Sequence, residues 1–190
     1  PLEVLPIEEL RKQLEVNVVG QVAVTKAFLP LLRKAKGRIV NVGSANGRFA
    51  PPYMAPYAAS KHAMEAISDA LRSELRSWGI FVSLIEPGSI ATPIWEKSFA
   101  AADDLSKSAA PEALAMYHRD IEALRKSSQK LAATALPVER VVGKIVHALT
   151  SQRPKTRYPV GLQTHLLFRL IKWTPDRLWD RIVQRAMGLR

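Results

Sequence analysis

Arg38-Ile39-Val40-Asn41-Val42-Gly43-Ser44, a long amphipathic run from Pro56 to Trp78, then Ile80-Phe81-Val82-Ser83-Leu84-Ile85 closed by Glu86-Pro87-Gly88, is the stretch that decides the fold. The first piece is short and β-branched, as a buried strand is. In the second, Met64, Ile67, Leu71, Leu75 and Trp78 form one helical stripe, and Gly79 is placed to end it. The third piece is again a buried strand. Strand, long helix, strand is a βαβ unit, so the two strands are expected to lie parallel, joined by a right-handed crossover.

Upstream, Ile7 to about Lys34 reads as one helix, with Ile7, Leu10, Leu14, Val18, Val22, Leu29 and Leu32 near helical spacing. Pro6 suits its start and Gly37 its end. Downstream the pattern loosens. Ala100 to Leu131 is rich in Ala and Ser and is expected to be helical, and Val138 to Leu149 is a clearer helix. Thr156 to Val160 suits an edge strand that tolerates Pro159. His165 to Trp173 and Asp176 to Met187 are expected to close the chain as helices. One domain is expected over residues 1–190, with no internal repeat and no low-complexity linker.

Composition sets outer bounds. With 47% apolar and 24% charged residues, the chain has the balance of a globular protein with a core. It has no cysteine, which excludes disulfides and thiolate metal sites, and His62, His118, His147 and His165 show no metal-ligand spacing, so no metal is expected. No run approaches the ~20 consecutive apolar residues of a membrane-spanning helix. Pro1 to Pro6 has neither the basic start nor the apolar run of a signal peptide. The chain also lacks a starting methionine, so a fragment or processed product is expected. The net charge is +11, and residues from Arg153 to Arg190 hold nine Lys or Arg against Asp176 and Asp180. A tail of that sign suits phosphates or an anionic membrane surface, with a solvated surface as the plainer account. The stretch Leu166 to Trp173 mixes apolar, aromatic and basic residues, which fits either a membrane interface or a core-packed closing helix.

The chemistry starts at Tyr57 and Lys61, four residues apart and so one turn apart on one helix face. A phenol titrates near ~10 in water, and a neighbouring ammonium favours its phenolate, the condition for acid–base work by tyrosine. Ser44 follows one strand directly, Tyr57 opens the next helix, and Pro87-Gly88 follow the next strand. In an open parallel sheet ligands bind beyond the carboxyl ends of the strands, so these segments converge on one edge. Tyr53 mimics Tyr57 but has Tyr57, not a lysine, four residues on.

These residues carry a family resemblance. Asn17, Ser44, Tyr57 and Lys61, with Tyr57 thirteen residues after Ser44, resemble the Asn-Ser-Tyr-Lys tetrad of short-chain dehydrogenases/reductases. Glu86-Pro87-Gly88-Ser89-Ile90-Ala91-Thr92 looks like that family's Pro-Gly-x-x-x-Thr nicotinamide loop, and Asn17-Val18-Val19-Gly20 like its Asn-x-x-Gly pattern. The likeness runs to about Thr92 and weakens beyond. Glu86-Pro87-Gly88 and Arg153-Pro154-Lys155-Thr156-Arg157-Tyr158 are most similar to the retinol and hydroxysteroid dehydrogenase branch.

The resemblance implies a Rossmann-like α/β fold, a doubly wound parallel sheet, with residues 1–92 as catalytic core, 93–135 as a substrate-covering region and 136–190 as closing helices and edge strand. It implies an oxidoreductase that interconverts a secondary alcohol and a ketone or aldehyde with NAD or NADP, on a lipophilic small molecule. Tyr57 would pass the proton, Ser44 would hydrogen-bond the substrate oxygen, and Lys61 would support the phenolate and hold the nicotinamide ribose. Asn17 would anchor a water linking Lys61 to solvent, while Pro87, Gly88, Ile90 and Thr92 would line the nicotinamide. A cytoplasmic homodimer or homotetramer, with no nucleic acid partner, is implied as well. The departure is the family's Gly-x-x-x-Gly-x-Gly turn, which no glycine cluster here matches. The nucleotide-binding half is therefore expected to be missing, and the isolated chain to bind cofactor poorly. The alternative is an inactive fragment or binding module whose basic C-terminal surface associates with membranes.

Overall fold

Alternation along β1 and β2 gives the sheet two apolar faces, and helices cover both. A computed structural model of the chain describes residues 1–189; Arg190, counted with the basic tail, lies outside them. The order is α1 (Ile7–Leu14), a π turn (Glu15–Val19), α2 (Gly20–Ala35), β1 (Arg38–Val42), α3 (Ala55–Glu74), β2 (Phe81–Pro87), α4 (Ile94–Ser108), α5 (Pro111–Ala133), α6 (Glu139–Thr150), β3 (Arg157–Val160), α7 (Leu162–Trp173) and α8 (Asp176–Met187). The strands lie side by side as β1-β2-β3, all parallel. Val42 pairs with Ile85, and Ile85 with Tyr158, so all three carboxyl ends reach one edge.

On one face Ile39, Leu75, Ile80 and Val82 are buried with Leu29, Leu32 and Leu71 of α2 and α3 packed on them. On the other, Ile85, Tyr158 and Val160 meet Val141 and Ala148 of α6. Each such aliphatic side chain taken from water contributes roughly 1.5–3 kcal/mol. The layered, doubly wound α/β architecture expected from the sequence is present. Gly79 ends the helical run after α3 with φ +69°, a conformation that costs glycine little.

Three details differ from the sequence reading. The first helix is continuous from α1 to α2 but contains the π turn, in which the Gly20 N–H donates to the Glu15 carbonyl five residues back. The region expected to be helical from Ala100 to Leu131 falls in two helices, α4 and α5, because Pro111 suits the start of a helix and not its interior. Finally, the helical run Ile7–Ala35 is long and apolar enough to cross a membrane by length and composition, although it holds no unbroken apolar stretch. It packs on α3, where the Asn17 amide donates to the Ser60 hydroxyl.

Candidate active site

The site is assembled where β1 and β2 end. Gly43 crosses over β2 so closely that its N–H donates to the Ile85 carbonyl at 2.8 Å. A Cβ at Gly43 would stand 3.2 Å from that same carbonyl oxygen. Ser44 follows in extended backbone and caps a short 3₁₀ turn, Ala45–Gly47, by accepting the Asn46 N–H at 3.1 Å. The half-buried hydroxyl accepts this one bond, and its O–H is left to donate.

Helix α3 begins with Pro56 in its first turn, and Tyr57 and Lys61 follow one turn apart. Lys61 reaches back to β1: its Nζ donates to the Val42 carbonyl at 3.0 Å, two residues before Ser44. The same Nζ lies 5.8 Å from the centre of the Tyr57 ring. Burial holds the Lys61 ammonium below its ordinary pKa. Beneath them, Ser60 donates to the Tyr57 carbonyl at 2.7 Å and accepts from Asn17 at 3.0 Å. Asn17 thus meets α3 between the tyrosine and the lysine, carried there by the π turn.

Pro87 ends β2 beside these groups. Gly88 has no room for a side chain, since a Cβ there would lie 2.7 Å from the Thr164 hydroxyl of α7. The loop beyond is pinned along its length. Ser89 accepts the Leu136 N–H at 2.9 Å, Ala91 donates to the Leu136 carbonyl at 2.8 Å, and the Trp95 indole donates to the Ile90 carbonyl at 2.9 Å. Thr92 closes the loop, half-buried, just before α4. A cavity of about 350 Å³ lined by Arg72, Gly79, Phe81 and Thr156 lies at the opposite, amino end of the strands and holds none of the candidate residues.

A charged network under the site was missed in the sequence. Glu86, fully buried, accepts from Arg48 Nε at 3.0 Å and from Arg157 Nη1 at 3.3 Å. Glu65, one turn beyond Lys61, pairs with both arginines, at 3.4 Å from Arg48 Nε and in close contact with Arg157. Arg157 also reaches Asp69 at 2.7 Å. Burial, and then the nearby Glu65 carboxylate, push the Glu86 pKa up, against the pull of the two arginines. The network binds the Ser44 loop, α3, β2 and β3 together. The available signal was an acid closing an apolar strand, which burial obliges to find cations.

Tyr53 has its own partner. Its hydroxyl donates to Asp120 of α5 at 2.8 Å, and its backbone holds φ +66°. Burial and the Asp120 carboxylate push its pKa up to about 12.

Comparison with known proteins follows this geometry. The family model for short chain dehydrogenase matches residues 1–103. An NADPH-dependent 3-dehydrocapnine reductase of Ornithobacterium rhinotracheale is 37% identical, over 98% of this chain and 65% of its own length. A 17-beta-hydroxysteroid dehydrogenase type 6 of Bos taurus is 37% identical, over 97% of this chain and 59% of its own. Among solved structures, a short chain dehydrogenase from Burkholderia cenocepacia in complex with NADP superposes with a TM-score of 0.64 at 21% identity, over 96% of this chain and 62% of that one. The chain thus spans roughly three-fifths of the length of such relatives.

Proposed function

Because this chain belongs to the short-chain dehydrogenase family, we propose that it forms the catalytic part of an NAD(P)-dependent oxidoreductase interconverting a secondary alcohol and a ketone or aldehyde. The observation that carries this reading is the bond from Lys61 to the Val42 carbonyl, which ties the Tyr57 helix to the strand that delivers Ser44.

In this mechanism the Tyr57 hydroxyl gives a proton to the substrate oxygen in reduction and takes it back in oxidation. Ser44, oriented by the bond it accepts from Asn46, donates to the same oxygen and stabilises its developing charge. One well-placed donor of that kind is worth roughly 3 kcal/mol. Lys61 places its charge beside the phenol. Asn17, held on Ser60 beneath that pair, supports a water path to Lys61.

The donor set fits the nicotinamide-ribose end of a dinucleotide. The Lys61 ammonium spends one N–H on Val42 and has two left for ribose hydroxyls. Pro87, Gly88, Ile90 and Thr92 form a loop fixed by its bonds to Leu136 and Trp95, and would line the ring. A bound nicotinamide would supply or accept the hydride. Pyrophosphate contacts would come from outside these residues, since no glycine cluster is present to make them.

The similarity to a hydroxysteroid dehydrogenase supports placement in the retinol and hydroxysteroid branch and a lipophilic substrate. We assign residues 1–92 to catalysis and 93–135 to covering the substrate. Val24, Phe28 and Leu31 of α2 stand more than half exposed, which favours pairing with a second copy. The test is Tyr57→Phe in the full-length protein, assayed by NADH and NADPH absorbance on lipophilic secondary alcohols and ketones. Turnover is expected to fall roughly 10²–10⁴-fold with cofactor binding retained. Turnover within a few-fold of wild type would overturn the reading.

A further inference from the structure

Helix α7 packs by one face and leaves the other bare. Its inner line is Thr164, Phe168 and Ile171. Thr164 is buried, donates to the Val160 carbonyl at 2.8 Å and abuts Gly88. Phe168 lies beneath the Arg48 guanidinium, 5.0 Å from its ring centre. The outer line is Leu162, Leu166, Leu170 and Trp173, which are 76%, 49%, 56% and 80% exposed. At about 100° per residue these four share one arc of about 80°, and His165, Arg169 and Lys172 occupy the arc beside it. No acidic residue occurs in α7.

Three leucines in line, ended by a nearly naked tryptophan and bordered on one side by Arg169 and Lys172, form the pattern of a helix lying in a membrane interface. Lys172 Nζ rests 5.6 Å from the Trp173 ring centre, which sets the indole and a cation at one level, as an aromatic belt at lipid headgroups does. The charge sign selects the lipid. Arg169 and Lys172 border the stripe with no acidic residue of α7 to offset them, so this face complements phosphate.

We propose that α7 docks the protein on an anionic lipid bilayer, with the Leu162–Leu166–Leu170–Trp173 stripe in the interface and Arg169 and Lys172 on lipid phosphates. The inner face of the docked helix carries Thr164 against Gly88, so the loop of the candidate active site lies directly behind the helix that meets the lipid. Delivery of a lipophilic substrate from the bilayer rests on the function proposed above; the docking itself does not.

The test is co-sedimentation of the full-length protein with vesicles of phosphatidylglycerol and phosphatidylcholine, against phosphatidylcholine alone, at low and high salt. Binding is expected on the anionic vesicles and is expected to weaken with salt. Leu166→Asp with Leu170→Asp, and separately Arg169→Glu with Lys172→Glu, should each weaken it at least tenfold. Trp173→Phe should remove the blue shift of tryptophan emission on binding. These side chains are exposed, so thermal unfolding should be unchanged. Three results would overturn the proposal. One is no vesicle binding. Another is equal binding by the variants, which would place the contact elsewhere, for instance on α2. The third is a change in oligomer mass in the leucine variant with no change in lipid binding, which would show that a second copy covers the stripe. Tyr57→Phe should bind vesicles as wild type does, so a failure here and a failure of the catalytic reading are separable.

Discussion

Replacing Arg157 by Met removes one of the two cations that hold Glu86 and Glu65 beneath the site. Glu86 has no solvent contact, and Arg157 Nη1 is 3.3 Å from its Oε1. After the substitution Arg48 alone faces both carboxylates. Asp69 is 44% exposed and keeps Arg72, so its loss adds little. Removing one partner of a buried pair costs about 3–5 kcal/mol, because the remaining charge stays desolvated. For a domain of this size that lowers the unfolding midpoint by roughly 10 °C. The dependence on pH follows from the raised Glu86 carboxyl. A buried acid with a raised folded pKa destabilises the fold above that pKa, and the penalty fades as pH falls through it. The Arg157→Met deficit, measured by thermal unfolding of the full-length protein, should therefore be largest well above the raised Glu86 pKa and shrink as the pH falls through it. Glu86→Gln in the Arg157→Met background should recover part of the loss, with a coupling of about 1–3 kcal/mol. A deficit below about 1 kcal/mol, one flat with pH, or strict additivity of the two substitutions would refute the electrostatic account.

Further expectations concern the neighbourhood of the site. Ultraviolet titration should show Tyr53 ionising near 12, and Asp120→Asn should move it down, since burial and its bond to that carboxylate together hold it up. Gly47→Ala should cost about 1–3 kcal/mol of stability and lower turnover. Its Cβ would stand 3.0 Å from the Lys61 carbonyl and 3.0 Å from Glu65, forcing the Ser44 loop away from the helix that bears Tyr57. A Gly47→Ala protein with wild-type melting and turnover would show that this approach has slack.

The elements that periodicity marks strongly were legible. β1 spans the residues read as a strand, because a β-branched run between Gly37 and Gly43 has little alternative. The α3 stripe ended at Gly79, as its left-handed backbone requires. Ala100 to Leu131 reads as helical without its break because Ala and Ser blur the apolar face, and Pro111 was the overlooked signal. Within the site, spacing along one helix was enough to join Tyr57 to Lys61, whereas the Lys61–Val42 bond links residues 19 apart and no local pattern encodes it. The Arg48–Glu86–Arg157–Glu65 network was hidden for the same reason: its members come from four segments, with separations as long as 92 residues. Glu86 was quoted only as part of a loop, although its position after five apolar or small strand residues already required a cation.

The π turn at Glu15–Val19 has a further consequence. Seventeen residues into the chain, the helix holds one residue more than regular winding would use, and the surplus swings the two flanking segments about 100° out of phase. What fixes Asn17 against Ser60 is therefore the number of residues between α1 and α2 as much as their identity. A single deletion within this turn would leave every side chain of α2 chemically unchanged, yet rotate α1 away from α3. Substitutions there other than at Asn17 should be absorbed, while changes of length should not; for this segment, residue count is the quantity that engineering has to respect.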